Sequence, residues 1–350
     1  MKKFLYKNVK ETATLVLILI VFFVSLAVRP ELLRSASMAN IINSILMWMP
    51  LNLTMCMGMM MTVIIKDIDL SIGAEVALSG MVAGIFWRDV WLVKMKDTNE
   101  VVIILIGFAI SLVVGVLLGA LNGFIIAYMQ IPSIIVTLGT INAYRGLTYI
   151  LAHGKMITNY ELPPHLADLS AKGIHIGPLL VPWLILIALV IVVIFFFVLR
   201  YSHFGREVYA VGSNRTAAHL RGINCKKTEL MVFTITGFLA GIVGMMSASR
   251  FGYVNPQQTG NGLEFVVISC TIIGGVSVSG GSGNVIGVFL GCTLLGTVNT
   301  MISTIGIPGT VQKFVYGIVI VLALLIDKAV TTMQRNRAMD AKSARKEATA

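Results

Sequence analysis

Long apolar runs alternate with short polar connections along the whole chain. After a start that carries Lys2, Lys3, Lys7 and Lys10, apolar residues fill 12–28, 42–65, 70–87, 101–128, 134–151 and 179–199. A polar stretch follows, then four more apolar runs at 230–248, 264–276, 285–305 and 310–326. A membrane-spanning helix needs about 20 apolar residues, so the pattern predicts ten spans. The eighth run is short and the fourth long, which predicts a broken or tilted helix at one of them. No small-residue cleavage site follows the first run, so it is read as an uncleaved span. Small residues recur every four positions: Gly115, Gly119 and Gly123; Gly237 and Gly241; Gly283, Gly287 and Gly291. In lipid such stripes let helix backbones approach closely.

Composition narrows the reading. Of 350 residues, 57% are hydrophobic and 12% charged, and mean hydropathy is +0.88. Soluble domains carry about 25% charged residues, so a soluble enzyme, a disordered chain and a disulfide scaffold are excluded. The fold class is therefore an all-α polytopic membrane protein. The net charge of +11 sorts by segment. Segments 1–10, 200–228 and 328–350 total 62 residues and hold 16 Lys and Arg, whereas 29–40, 88–100, 153–178 and 249–262 total 65 residues and hold 8. The positive-inside rule places both termini in the cytosol, and the excess charge reports orientation rather than nucleic-acid binding. Residues 1–327 read as one transmembrane domain with a cytosolic loop at 200–228, and 328–350 as a polar cytosolic tail.

Motifs of soluble chemistry are missing. There is no GxxxxGK[ST] phosphate loop and no HExxH, and His153, His165, His175, His203 and His219 all fall in loops. No catalytic residue, cofactor or metal is expected. Cys56, Cys225, Cys270 and Cys292 read as small packing residues. Between the second and third spans, Asp67, Asp69 and Ser71 suit a cap for the next helix or, alternatively, a lining or relay role. Glu75, one turn further on, must face protein or water, and Arg145 is either its partner or reaches an interface. Asn52, Thr54, Asn122, Thr137, Thr140, Asn142, Thr297 and Asn299 offer neutral hydrogen-bonding groups. These suit a translocation path for an uncharged, hydroxylated solute, or simply tie helices together.

Two further stretches stand out. Within 204–224, Asn214 is a good N-cap and Gly222 a good helix stop. The short helix between them carries Arg215, Leu220 and Arg221, with Ala217 and Ala218 forming a slim face suited to insertion into a partner. The stretch 274–284 holds too many glycines for a helix and lacks the Lys of a phosphate cradle, so it predicts a tight turn.

Four stretches resemble the permease subunits of bacterial ABC importers for simple sugars, the ribose/galactose/autoinducer-2 group. They are Asp67 to Gly73; Asn122-Gly123 through Ile131-Pro132 to Thr140; Phe204-Gly205-Arg206 to Gly222-Ile223; and Gly274-Gly275-Val276-Ser277 with Gly280-Gly281-Ser282-Gly283. Tyr144-Arg145-Gly146 and the stretch from Gly252-Tyr253 to Glu264 look most like autoinducer-2 permeases. The resemblance implies a ten-span fold shared with the vitamin B12 permease, in the bacterial inner membrane. It also implies a second permease subunit (an identical or sister chain), cytosolic ABC ATPase subunits and an extracytoplasmic sugar-binding protein. The 204–224 loop then matches the segment whose helix docks on the ATPase. Two other classes are a stand-alone secondary sugar carrier, which would want buried carboxylates along its path, and a membrane-embedded enzyme, which would want clustered His, Asp or Ser.

Overall fold

The computed structural model describes residues 14–20, 23 and 35–306, with single positions at 311, 314, 317, 318 and 321. The helices are α1 (Ser35–Ile64), α2 (Ile72–Ile85), α3 (Glu100–Met129) and α4 (Ser133–Leu151). A β-hairpin of β1 (Gly173–Ile176) and β2 (Leu179–Pro182) leads into α5 (Trp183–Tyr201). Then come α6 (His203–Ser213), α7 (Arg215–Leu220), α8 (Cys225–Phe251), α9 (Leu263–Ile273) and α10 (Val285–Ile305). Seven helices among the described residues are long and apolar enough to cross a membrane, α2 counting with its π-helical extension to Lys94. They fall on the second to seventh and ninth predicted spans, and α9 on the eighth. The first span is described only in part, as helix at 14–20 and 23. The tenth span at 310–326 and the tail at 328–350 lie outside the described residues apart from those single positions.

Helix ends follow local chemistry. The sixth span starts at Trp183 rather than 179, because Leu179–Pro182 pairs antiparallel with Gly173–Ile176. α8 is longer than its apolar run. The Asn224 side chain caps it by accepting from Lys227 N at 3.1 Å, and Gly252 ends it with left-handed backbone.

The packing is inverted relative to a soluble bundle. The inward face of α3 is Ile103, Gly107, Ser111, Gly115, Gly119, Asn122 and Gly123, while Leu105, Val113, Leu117 and Leu121 point outward. Large apolar side chains facing out and glycines facing in are what a lipid solvent selects. α1 sits at the centre, with Leu53, Met55, Met57, Met59, Met60 and Met61 fully buried. Flexible methionine side chains fill the irregular gaps there.

At the α3–α8 crossing the two helix backbones touch. A Cβ on Gly119 would lie 2.9 Å from Gly237 Cα, and one on Gly241 would lie 2.9 Å from Leu112 Cα. These two glycine stripes therefore act as read from the sequence. The third does not form a single helix face: α10 begins at Val285, so Gly283 lies in the preceding loop against Val276, while Gly291 faces Cys270 and Gly274 of the α9 strip.

The short run is a half-length helix. α9 has 11 residues, about 16 Å, against a hydrocarbon core of about 30 Å. The segment 252–262 that leads into α9 is irregular backbone. Arg145, about 18 Å along α4, donates from Nη1 to Pro256 O at 3.1 Å and Thr259 O at 2.7 Å. Gly260, with φ +67°, presses on Gly73 at the start of α2, and a Cβ on either would collide with the other's backbone. Non-helical backbone at membrane depth is tolerated only where protein satisfies its polar groups, and Arg145 does that here. Arg145 thus bonds these two carbonyls rather than Glu75.

The crossing makes a direct prediction. Gly119→Val should separate α3 from α8 and lower the detergent unfolding midpoint, a loss of about 1–3 kcal/mol by overpacking. Gly139→Val, where an added Cβ meets nothing within 4 Å, should leave the midpoint close to wild type. Equal midpoints for the two variants would remove the crossing from the account.

Candidate functional site

At one end of the bundle four connections meet. Gly281 N donates to Ile64 O at 2.8 Å, joining the glycine-rich loop to the end of α1. Tyr209 OH of α6 donates to Gly283 O at 2.9 Å, and Lys66 Nζ donates to Ser213 O at 3.4 Å. Ile68 N donates to the Ser133 hydroxyl at 3.3 Å, bringing in the start of α4. Three of the motif stretches, Asp67 to Gly73, 204–224 and 274–284, are therefore neighbours in space.

On this base stands α7. Asn214 Oδ1 accepts from Ala217 N at 3.0 Å, as an N-cap should, and Gly222 follows the helix with φ +83°. Arg215 forks onto Glu229 of α8, with Nη2–Oε2 at 2.6 Å and Nη1–Oε1 at 3.2 Å. Such bidentate pairs add geometric specificity as well as energy. The slim-face expectation needs one correction. Ala218 is buried in this chain's own core, whereas Ala217, Leu220 and Arg221 are exposed, Leu220 at 82%. Neighbouring residues on a helix point about 100° apart, so both alanines cannot share the outward face.

Asp67 lies against this ion pair. Burial, and then the Glu229 carboxyl beside it, push the Asp67 carboxyl up to about 7, while the Ser133 hydroxyl and the Arg215 charge pull the other way. Glu229 is a residue sequence reasoning missed: it stands just before the apolar run 230–248, and Arg215 is its partner only through the fold.

A second polar cluster lies deeper. Asp69 Oδ1 accepts from Ser71 N at 2.9 Å and from Ser71 Oγ at 2.6 Å. Asn122 Nδ2 donates to Ser71 Oγ at 2.8 Å and Glu75 Oε1 at 2.9 Å, and Tyr144 OH donates to Asn122 Oδ1 at 3.0 Å. Ser71 occupies the N-cap position of α2 but makes no side-chain cap bond; its hydroxyl is turned to the carboxyls instead. Glu75 faces protein, as expected, and is fully buried.

The remaining path candidates do not converge. Asn52 bonds Trp48 O at 2.8 Å, and Thr54 meets Met246 Sδ at 3.9 Å inside the core. Thr137 donates to Ser133 O at 2.8 Å within its helix and stands 3.4 Å from Ile68 O before α2, and Thr297 donates to Thr293 O at 2.8 Å within its own helix. Thr140 and Asn142 likewise bond the α4 backbone, and Asn142 is exposed. Asn299 opens onto a cavity, about 620 Å³ at the opposite end of the bundle, beside Asn40, Asn43, Trp48 and Arg250.

These observations describe a multi-pass membrane protein whose connections are tied together at one end. Residues 41–324 match the family model for the branched-chain amino acid transport system permease component, and the chain belongs to that family. It is 32% identical over 340 residues to the autoinducer 2 import system permease protein LsrC of Enterobacter sp. (strain 638), covering 95% of this chain and 92% of that one. The LsrC of Salmonella typhi is 30% identical over 339 residues (96% and 90% covered), and that of Klebsiella pneumoniae subsp. pneumoniae 32% over 328 (93% and 88% covered). No solved structure matches the chain.

The Asp67 environment predicts a pH dependence. An unfolded Asp titrates near 3.9, so from about pH 4 to pH 7 the folded chain holds a proton that the unfolded chain releases. Stability then falls as pH rises through that window and levels off above it. Asp67→Asn should raise stability at pH 8 by about 1–2 kcal/mol, allowing for partial solvent access, and flatten the melting curve series between about pH 4 and 7. An unchanged slope there would contradict the assignment.

Proposed function

We propose that this chain is the membrane-spanning subunit of an ATP-driven importer in the bacterial inner membrane. It crosses ten times with both termini in the cytosol, and it moves a small, neutral, hydroxylated solute of the autoinducer-2, ribose or rhamnose kind. An extracytoplasmic binding protein delivers the solute, a second permease chain completes the path, and cytosolic ATPase subunits dock on α7. The observation that carries the reading is the α6–α7 unit. It is an exposed, basic helix pair with an outward Leu220, anchored to two transmembrane connections and to α8 by the Arg215–Glu229 pair. Movement imposed on α7 would reach α8 through that pair.

Orientation draws support from the way segments group. The loop segments poorer in basic charge gather at the end opposite α7. His165 N donates to Glu100 Oε1 at 2.7 Å, Ser249 Oγ donates to Leu166 O at 2.7 Å, and Leu180 N donates to Asn43 Oδ1 at 3.0 Å. The amides and hydroxyls at the 620 Å³ cavity, with Arg250 beside them, suit a hydroxylated solute better than an amino acid, whose ammonium group finds no carboxylate in that lining.

One observation favours the stand-alone carrier as a second reading: Asp69 and Glu75 share a buried network, and Asp69 Oδ2 and Glu75 Oε2 have no hydrogen-bond partner among the described residues. The two readings part on energy source. Vesicles holding the assembled importer, with its second permease chain, ATPase and binding protein, should accumulate solute only with ATP, and vesicles of this chain alone should not respond to a proton gradient. Gradient-driven accumulation by the chain alone would replace the importer with a carrier.

The docking surface makes its own prediction. Ala217→Trp, on the exposed face, should leave membrane abundance normal while ATPase co-purification and uptake fall. Ala218→Trp should instead reduce abundance, because that side chain enters this chain's own core at a cost of about 1–3 kcal/mol. Wild-type uptake and ATPase binding by Ala217→Trp would remove α7 from the coupling path.

A further inference from the structure

Three of the four cysteines come together from helices far apart in sequence. Cys56 of α1, Cys270 of α9 and Cys292 of α10 are fully buried, and their Sγ atoms all lie within 4.8 Å of one another. Cys56 Sγ also faces Val267 O at 3.8 Å, and the Thr271 hydroxyl stands beside it. These are the polar neighbours of the cluster; among the described residues no Lys, Arg or His acts on it. Cys225 lies elsewhere, against the Arg215 carbonyl at the α7 end.

Three sulfur atoms around one centre with bonds of about 2.3 Å stand about 3.4 to 4.0 Å apart, from pyramidal to planar, and Sγ atoms within 4.8 Å of one another reach that spacing with small side-chain movements. Sulfur ligands select soft ions. Charge then discriminates among them. A monovalent or divalent ion held by three thiolates leaves a net negative charge, and an uncompensated charge in a dry apolar core is very costly. A trivalent centre leaves none.

We propose that Cys56, Cys270 and Cys292 form a buried three-thiol site for a trivalent, thiophilic centre, with trivalent arsenic as its chemical class. Arsenous acid enters uncharged. Three As–O bonds break and three As–S bonds form, and each thiol proton leaves on a hydroxide as water. Arsenic stays trivalent, and no oxidant or reductant is needed. The adduct ties α1, α9 and α10 together. α9 is the half-length helix, joined on one side to the segment that Arg145 holds and on the other to the loop under α6. The site itself does not depend on the transport reading.

The test uses the full-length chain purified in mild detergent. After incubation with arsenite and desalting, the wild-type chain should retain one arsenic per chain, and its X-ray absorption should show three sulfur neighbours and no oxygen. Cys56→Ala, Cys270→Ala and Cys292→Ala should each bind about 100-fold more weakly, having lost one arm of a multivalent attachment, while Cys225→Ala should bind as wild type does. Size-exclusion profiles check that the variants remain folded; should any aggregate, the sulfur count in the wild-type spectrum decides. No retained arsenic, oxygen neighbours in the spectrum, or wild-type retention by the three alanine variants would overturn the proposal.

Discussion

The backbone contact between α3 and α8 is the constraint on which the other features rest. Gly115 and Gly119 on one helix meet Gly237 and Gly241 on the other backbone to backbone, and Gly123 lets Leu230 and Phe233 come close one turn further on. Without a hydrophobic driving force between helices in lipid, such contact supplies dispersion attraction directly. α8 then acts as a fixed rod. It presents Glu229 to the α7 end and Arg250 to the cavity at the other, and it carries Gly244 against Gly80 of α2. Widening the crossing would disturb both ends together.

The second constraint is the half-length helix α9. A membrane protein that interrupts a span must satisfy the freed backbone from within. Here Arg145 reaches across from α4 to two carbonyls, Asn255 Oδ1 accepts from Gln257 N at 2.8 Å, and the Gly73–Gly260 contact closes the segment onto α2. α2 in turn begins at the Asp69–Ser71–Glu75 cluster. The interrupted span, the buried carboxyls and the tyrosine–asparagine pair on α3 and α4 thus form one connected polar layer inside an apolar bundle.

The sequence was most legible where the solvent imposes the pattern. Hydrophobic length located the spans that fall within the described residues, and two glycine stripes gave the α3–α8 contact. Asn214 and Gly222 bounded α7 correctly, because capping is a local interaction. What depended on the fold was not legible. Arg145 satisfies backbone carbonyls, which carry no sequence signature, so its side-chain partner was sought in vain at Glu75. Arg215 and Glu229 pair only because α7 folds back on α8. The paired alanines were misjudged for a geometric reason: at about 100° per residue, burying Ala218 turns Ala217 outward. The neutral asparagines and threonines carried the least information, since a hydroxyl bonded to its own helix and one lining a path look alike in sequence.

The central claim is that α7 is where the cytosolic engine meets the membrane domain. Site-directed cross-linking tests it most directly. In a chain whose native cysteines are replaced by alanine and which still supports uptake, a cysteine at Leu220 should join to the ATPase subunit as one discrete adduct in membranes, whereas a cysteine at Tyr160, exposed at the opposite end, should not. An ATPase adduct from position 160 with none from position 220 would contradict both the orientation and the coupling role.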